Sequence, residues 1–389
     1  MKILFLVSSM QGGGAERVAA LLANAWSARG HSVTLMPTFS AGGECVYPLA
    51  ESVNLDFLSD HCLPAAGRLT RLRILRRFIG GLRPDVIVSF LPHVNATALI
   101  AAGGFGIPVI ACERTYPPLV QPPLPLMYRI GRRVTYPLAS ALVGQTEATA
   151  AWLRRLSGRA HVAVIPNPVA KPLPSSRPIK HPNEFLPADR KLILWAGRLD
   201  EAKRGAVLVE AVSQRNCLGA DWHIAMVGDG PSRNAVQALI DARGMSNRIT
   251  LVGFAGNLGD WYQRADIFVM TSSFEGFPNT LLEALSYGVP SIAFDVQTGP
   301  KELSQEGTRL LLLPDQNHIA NLSDALASLI TNPHRRNELS RAALGTNEDY
   351  SEDNILSQWD ELFGRVVGSQ AVRRRRNSEQ PVPKRPSLG

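Results

Sequence analysis

Residues 267–284 read Ile267-Phe268-Val269-Met270-Thr271-Ser272-Ser273-Phe274-Glu275-Gly276-Phe277-Pro278-Asn279-Thr280-Leu281-Leu282-Glu283-Ala284. The first four are apolar without alternation, which suits a strand buried on both faces. A polar loop containing glycine and proline follows, and near Asn279 the pattern turns helical. Strand, loop and helix in that order form the repeating unit of a parallel α/β sheet.

The unit recurs in both directions along the chain. Upstream, strand-like runs are Ile3 to Val7, Val33 to Met36, Asp85 to Phe90, Val109 to Ala111 and Val162 to Ile165. Nearer the quoted stretch are Leu192 to Ala196, His223 to Val227, Ile249 to Val252 and Ser291 to Phe294, with helical patterns at Ala206 to Arg215 and Ser232 to Arg243. Between the two groups Pro166, Pro168, Pro172, Pro174, Pro178, Pro182 and Pro187 break every period. Proline fixes φ and removes a donor, so this segment reads as an extended connection.

The expected fold class is therefore α/β, with two Rossmann-like β/α/β domains facing across a cleft. Its parts are a first half at 1–166, a linker at 167–190 and a second half at 191–350. A helix at 351–366 is expected to pack back on the first half, and 367–389 reads as a basic, disordered tail. Ligands of open α/β sheets bind at the carboxyl ends of the strands, so the halves should share one site.

The 389 residues are 45% hydrophobic and 19% charged, which excludes collagen-like, disordered and disulfide-stapled classes. Cys45, Cys62, Cys112 and Cys217 lack CxxC spacing and read as reduced thiols of a cytosolic protein. The apolar start Met1 to Val7 is short for a signal peptide and runs into Gly12-Gly13-Gly14, so it reads as a strand. No segment offers the roughly 18 unbroken apolar residues of a membrane span; the nearest, Ala96 to Cys112, is interrupted by Gly103, Gly104, Gly106 and Pro108.

A net charge of +8 asks for an anionic partner. Arg68, Arg71, Arg73, Arg76 and Arg77 lie among Leu69, Leu72, Ile74, Leu75, Phe78 and Ile79. Residues 68–79 thus form a basic amphipathic stretch able to rest on an anionic membrane, with a solvated helix face as the rival reading. Arg129, Arg132 and Arg133 make a smaller group. No nucleic-acid motif accompanies the charge, and no nucleic acid is expected as a partner.

Glu275 lies in the loop and Glu283 about two turns into the helix. The helix start between them offers free N–H groups and a positive dipole end to a phosphate. Two carboxylates beside an apolar helix call for a reason, and sugar or ribose hydroxyls supply one. In Trp195-Ala196-Gly197-Arg198-Leu199-Asp200-Glu201-Ala202-Lys203, two cations follow a strand. They could neutralise a departing diphosphate, or simply pair with Asp200 and Glu201. There is no Asp-x-Asp motif and no His/carboxylate cluster with metal spacing, so a metal-independent site is expected.

The Gly12-Gly13-Gly14 loop lets backbone amides approach an anion, though it is not Gly-x-Gly-x-x-Gly. His93 falls just past a strand, where it could meet a sugar hydroxyl. Glu113 and Arg114 follow the next strand in the same way, and with Glu16 they are candidates for the acceptor side.

With these residues in place, the chain resembles the retaining GT-B glycosyltransferases of family 4 over roughly residues 1 to 364. The resemblance rests on Gly-Gly-Gly-Ala-Glu-Arg-Val at 12–18, Asn167-Pro168, Gly197-Arg198-Leu199 with Lys203, and Val227-Gly228-Asp229-Gly230-Pro231. Val252-Gly253-Phe254, the Glu275/Glu283 block, Gly288-Val289-Pro290 and Gly299-Pro300-Lys301-Glu302 complete it.

The resemblance implies a donor site in the second half and an acceptor site in the first. Arg198 and Lys203 would hold the diphosphate, Glu283 the ribose, and Glu275 the transferred sugar. The Asn279, Thr280 and Leu281 amides would lie near the phosphates and Gly253 and Phe254 near the base, with Gly276 and Phe277 also in the donor site. Gly13 and Gly14 would close over the phosphates, and His93 would reach the sugar from the opposite half. The implied co-substrate is a nucleotide sugar, expected to be a UDP-sugar, with no other cofactor. The implied acceptor is a glycan on a polyprenyl diphosphate at the inner face of a bacterial cell membrane. A nucleotide-sugar epimerase and a non-catalytic nucleotide-sugar-binding protein remain alternatives on the same scaffold.

Overall fold

The computed structural model describes residues 1–39, 45–63, 66–119, 125–187, 189–214 and 218–378, with side chains to 369. Seven strands form the first sheet: β1 Lys2–Val7, β2 Ser32–Pro37, β3 Val53–Leu55, β4 Val86–Phe90, β5 Val109–Cys112, β6 Ala141–Gly144 and β7 His161–Val164. Six form the second: β8 Lys191–Ala196, β9 Trp222–Val227, β10 Ile249–Gly253, β11 Ile267–Met270, β12 Ser291–Phe294 and β13 Leu311–Leu313.

The orders are β3-β2-β1-β4-β5-β6-β7 and β10-β9-β8-β11-β12-β13. Each contains the 3-2-1-4-5-6 order of a doubly wound sheet, the first with one strand added. The named strands pair in parallel, as in Ile3↔Val86 of β1 and β4 and Ile267↔Ile193 of β11 and β8.

The first half carries α1 Gly14–Ala28, α2 Arg68–Leu82, α3 Pro92–Ala102, α4 Leu126–Thr135 and α5 Glu147–Arg154. The second carries α6 Gly205–Gln214, α7 Arg233–Ala242, α8 Leu258–Arg264, α9 Asn279–Ser286, α10 Pro300–Ser304, α11 His318–Thr331, α12 Pro333–Ala343 and α13 Thr346–Asp349. Helices on both faces explain the unbroken apolar strands. In β1, Ile3, Phe5 and Val7 enter one core and Leu4 and Leu6 the other. In β8, Ile193 and Trp195 divide in the same manner from Leu192, Leu194 and Ala196.

The last helix, α14 Glu352–Ser378, returns to the first half. Trp359 and Phe363 pack on Trp26 at ring distances of 5.3 and 5.4 Å, and Arg29 pairs with Asp353 at 3.0 Å and Asp360 at 2.5 Å. The helix continues through residues 367–378, where composition suggested an irregular tail. The physical reason is that its arginines are good helix formers and no proline intervenes before Pro381. Residues 379–389 lie outside the described ones.

Two other expectations change. β3, β6 and β13 are three or four residues long and left no distinct pattern in the sequence. The apolar side of α2 is taken up by the core: Leu75 and Ile79 are buried, and Leu72, Ile74 and Phe78 pack against the same cluster. Residues 68–79 therefore do not present a two-sided amphipathic face; apart from Leu69, their exposed positions are mainly arginines. Among the described residues, no helix is long and apolar enough to cross a membrane. Cys112 is buried, its thiol pushed up to about 12 by loss of solvent; Cys45 and Cys62 are free and half-buried, and Cys217 lies outside the described residues.

Candidate functional site

In each sheet the strand order reverses at the first strand, between β1 and β4 and between β8 and β11. Crossovers on opposite faces leave a crevice at the carboxyl ends of those strands. The loops and first helical turns after all four hold candidate residues: Gly13 and Gly14 after β1, His93 after β4, Arg198 and Lys203 after β8, and Glu275 after β11.

On the second half, Lys203 and Glu275 meet. The Lys203 ammonium donates to Glu275 Oε1 at 2.5 Å, and Ser272 Oγ donates to the same oxygen at 2.6 Å. Glu275 is buried, so its charge depends on these partners. Asp200 orders the preceding loop by accepting the Lys203 backbone N–H at 2.9 Å and Arg198 Nε at 2.5 Å. The Arg198 side chain stays 74% exposed, leaving most of its fork available to a ligand. The arrangement includes both readings of this loop, a salt bridge to Asp200 and an open cation.

Helix α9 begins behind Glu275. Asn279 and Thr280 open it before its first internal hydrogen bond, whereas the Leu281 amide donates to the Pro278 carbonyl at 3.1 Å. This end faces the first half: Asn279 Nδ2 lies 3.5 Å from the Gly14 carbonyl oxygen, and Asn167 Nδ2 donates to Asn279 Oδ1 at 2.6 Å. Gly276 touches the opposite half so closely that a Cβ would overlap the Arg114 carbonyl and lie 2.8 Å from Thr115 Cα. Phe277 is buried and packs against Tyr350 at 5.9 Å.

One turn deeper, Glu283 is buried with both carboxylate oxygens engaged. Tyr262 OH donates to Oε2 at 3.1 Å, and the Arg17 guanidinium, from the first turn of α1, pairs with Oε1. A cavity of about 600 Å³ opens here between α1, the 47–50 segment, the 168–174 connection and α9. Its lining is mostly apolar, with Arg17, Asn279 and Glu283 among its polar groups.

The glycine loop is held by Tyr47, whose hydroxyl accepts from Gly13 N at 3.0 Å and donates to Gly13 O at 2.9 Å. Gly13 has φ 153°, and a Cβ there would press on the Glu16 carboxylate, which also accepts from Ser9 Oγ at 3.1 Å. At the second half's edge Gly253 has φ 79°, and its carbonyl accepts from Gly228 N at 2.9 Å; Phe254 beside it is exposed. Lys180 and Arg233 flank Gly253 and donate to the carbonyls of Val252 at 2.6 Å and Leu251 at 3.1 Å. Buried Arg233 Nη1 has no hydrogen-bond partner among the described residues.

His93 sits in the first turn of α3, 3.0 Å from Ser8 Oγ and edge-on to Phe39 at 4.5 Å. Burial lowers its pKa, which keeps the ring neutral near pH 7. Leu91 just before it has φ 79°, an unfavourable conformation for a leucine at the turn into the cleft. Glu113 and Arg114 are engaged in the protein interior instead of facing open space. Glu113 is ion-paired to Arg132 at 2.7 Å and hydrogen-bonded by Tyr136, with desolvation raising its pKa. The Arg114 guanidinium covers Phe90 at 4.1 Å and donates to Asn167; burial lowers its pKa to about 10.

The sequence reading gave no site role to Arg17, Tyr262, Asn167 or Tyr47. Arg17 carries a usable signal, being one turn into the helix behind the glycine loop; the others do not. Among the described residues, no group of three or more His, Cys, Asp or Glu side chains is placed to hold a metal ion.

Known proteins resemble this chain along most of its length. The family described as "Glycosyl transferase 4-like domain" matches residues 13–168, and "Glycosyl transferases group 1" matches residues 176–345. The chain is 26% identical over 372 residues to the GalNAc-alpha-(1->4)-GalNAc-alpha-(1->3)-diNAcBac-PP-undecaprenol alpha-1,4-N-acetyl-D-galactosaminyltransferase of Campylobacter jejuni, covering 94% of this chain and 99% of that one. It is 25% identical over 370 residues to the amylovoran biosynthesis glycosyltransferase AmsD of Erwinia amylovora, at 93% and 99% coverage. Among solved structures, Anabaena Alr3699/HepE in complex with UDP and glucose superposes with a TM-score of 0.75 at 19% identity, covering 94% and 99% of the two chains. Sucrose-phosphate synthase of Thermosynechococcus elongatus gives 0.79 at 18% identity, covering 95% and 100%.

Proposed function

The chain belongs to the group 1 glycosyl transferases, with a glycosyl transferase 4-like N-terminal domain and the GT-B fold, and from that premise we propose its reaction. It is a glycosyltransferase of the kind that builds bacterial polysaccharides and lipid-linked glycans. In our reading it moves a hexose or N-acetylhexosamine from a UDP-sugar to a polyprenyl-diphosphate-linked glycan, with retention of anomeric configuration and without a metal. The enzyme works at the inner face of the cell membrane, with the basic stretch 68–79 turned toward anionic lipid.

The observation that carries this reading is the pairing of Lys203 with buried Glu275 beside the α9 N-terminus, directly opposite the glycine loop. A diphosphate entering there meets Arg198, Lys203, the Asn279 and Thr280 amides, and Gly13 and Gly14. Ribose hydroxyls replace Arg17 on Glu283, Gly253 and Phe254 border the base, and Glu275 and His93 reach the sugar from opposite halves. The bond from C1 to the leaving oxygen breaks as the acceptor oxygen bonds to C1 from the same face. The acceptor proton passes to a departing phosphate oxygen, and preorganised cations stabilise the growing charge.

The test is a thermal-shift and hydrolysis screen of UDP-, GDP- and ADP-sugars with EDTA present, comparing wild type with Glu283→Ala and Lys203→Ala. Stabilisation by one nucleotide class, lost in both variants, is expected. No response to any donor, with or without added metal, would overturn the reading. Proton NMR of the product must show the donor's anomeric configuration; an inverted linkage would refute retention.

A further inference from the structure

Residues 61–146 hold ten arginines, no lysine and two carboxylates, Asp85 and Glu113, a balance that equals the +8 of the whole chain. Both carboxylates are engaged. Asp85 accepts the Lys2 backbone N–H at 2.7 Å, and Glu113 is buried against Arg132 and Tyr136. The outer surface of α2, α3 and α4 is accordingly cationic.

On that surface α4 is turned inside out. It buries Arg132 and Thr135 and leaves Leu126, Met127, Ile130 and Val134 between 54% and 65% exposed. Spacings of three and four residues align these side chains in one stripe. Leu138 continues it past the helix end, and Arg129 and Arg133 are exposed alongside. The ion pair between Arg132 and Glu113 fixes this rotation, because turning the aliphatic side inward would strand a buried carboxylate. At the other end Arg68 Nη1 lies 3.5 Å from Met127 Sδ, which joins the start of α2 and its exposed Leu69 to the patch.

We infer that α4 is the element that inserts into an anionic lipid surface, its aliphatic stripe among the outer acyl carbons and Arg68, Arg129 and Arg133 at the lipid phosphates. A second copy of this chain fits poorly, since it would set arginine against arginine. The stripe starts beside the cleft: the Tyr128 ring lies 6.1 Å from that of His93. Docking through α4 therefore brings the acceptor side of the cleft to the lipid. The inference depends on the proposed function only for the lipid-borne acceptor. Its test uses neither donor nor acceptor, so the two can fail separately.

The experiment is co-sedimentation of the full chain with phosphatidylcholine vesicles, with and without phosphatidylglycerol. Wild type should partition to the anionic vesicles and release with salt. Ile130→Gln/Val134→Gln should weaken partition about tenfold or more, and Arg129→Gln/Arg133→Gln about tenfold. Unchanged melting temperature and an unchanged circular-dichroism spectrum would show that the exposed substitutions spare the fold. Equal binding to neutral and anionic vesicles, or an Ile130→Gln/Val134→Gln variant that binds like wild type, would overturn the inference. So would a dimer in light scattering that the same variant splits, which would make the stripe a protein interface.

Discussion

The two halves share one sheet order and use it differently. In the second half the loops after β8 and β11 bring opposite charges together, Lys203 on Glu275 and Arg198 on Asp200, at the mouth of a short helix. In the first half the equivalent loops carry glycines and one neutral histidine, and the charge has moved to the helical layer outside. A Rossmann-like sheet fixes where a ligand can bind and leaves open which half supplies the chemistry and which supplies the address. The contact between halves is built for close approach, with Gly276 on the Arg114 carbonyl and Arg17 on Glu283.

The contrast can be broken at its strongest point by Arg132→Met, which leaves Glu113 buried without its cation. The expected loss is about 3–5 kcal/mol in urea unfolding, with much of it recovered in Glu113→Gln/Arg132→Met. A loss as small as that of an exposed pair would mean the α4 rotation is held by something else. Lys203→Ala comes next: kcat/KM should fall by about 10²–10³, as for other groups facing a developing charge. A fall confined to KM would make the lysine an ordinary binding contact.

Gly276→Ala sharpens the claim that the halves must close. An added methyl meets the Arg114 carbonyl, and transfer should fall by up to about 10² through misplacement of the facing groups. Full activity in this variant would show that the contact is dispensable. The smallest effect concerns pH. His31, His93, His161 and His223 are all lowered from 6.5, burial being the largest cause in each. The unfolded chain therefore takes up protons first as pH falls. Their contribution to stability should be level above 6.5 and decline below it, through the folded values. Calorimetry that shows stability rising between pH 6.5 and 5.5 would contradict this sign.

Much of this was legible in the sequence. Strands buried on both faces announce themselves by unbroken apolar runs, as Leu192 to Ala196 does, and the loops behind them locate the candidate residues. Short strands do not announce themselves: Val53–Leu55 and Leu311–Leu313 lie at sheet edges and gain their order from a neighbour. Contacts between the halves were also beyond reach, since Arg17 and Glu283 stand 266 positions apart and periodicity carries no information about such pairs. The rotation of α4 followed from a partner, Glu113, on another element. Composition misjudged residues 367–378 because a polar, basic run is compatible with either a loose tail or a helix extended from a packed one.

If Glu283 of the second half holds the nucleotide and α4 serves only the address, the two roles separate by mutation. A UDP titration followed by thermal melting, run on wild type, Glu283→Ala and Ile130→Gln/Val134→Gln, tests this most directly. Wild type and the α4 variant should be stabilised equally, and Glu283→Ala not at all. Undiminished stabilisation of Glu283→Ala, or its loss in the α4 variant, would contradict that division of roles.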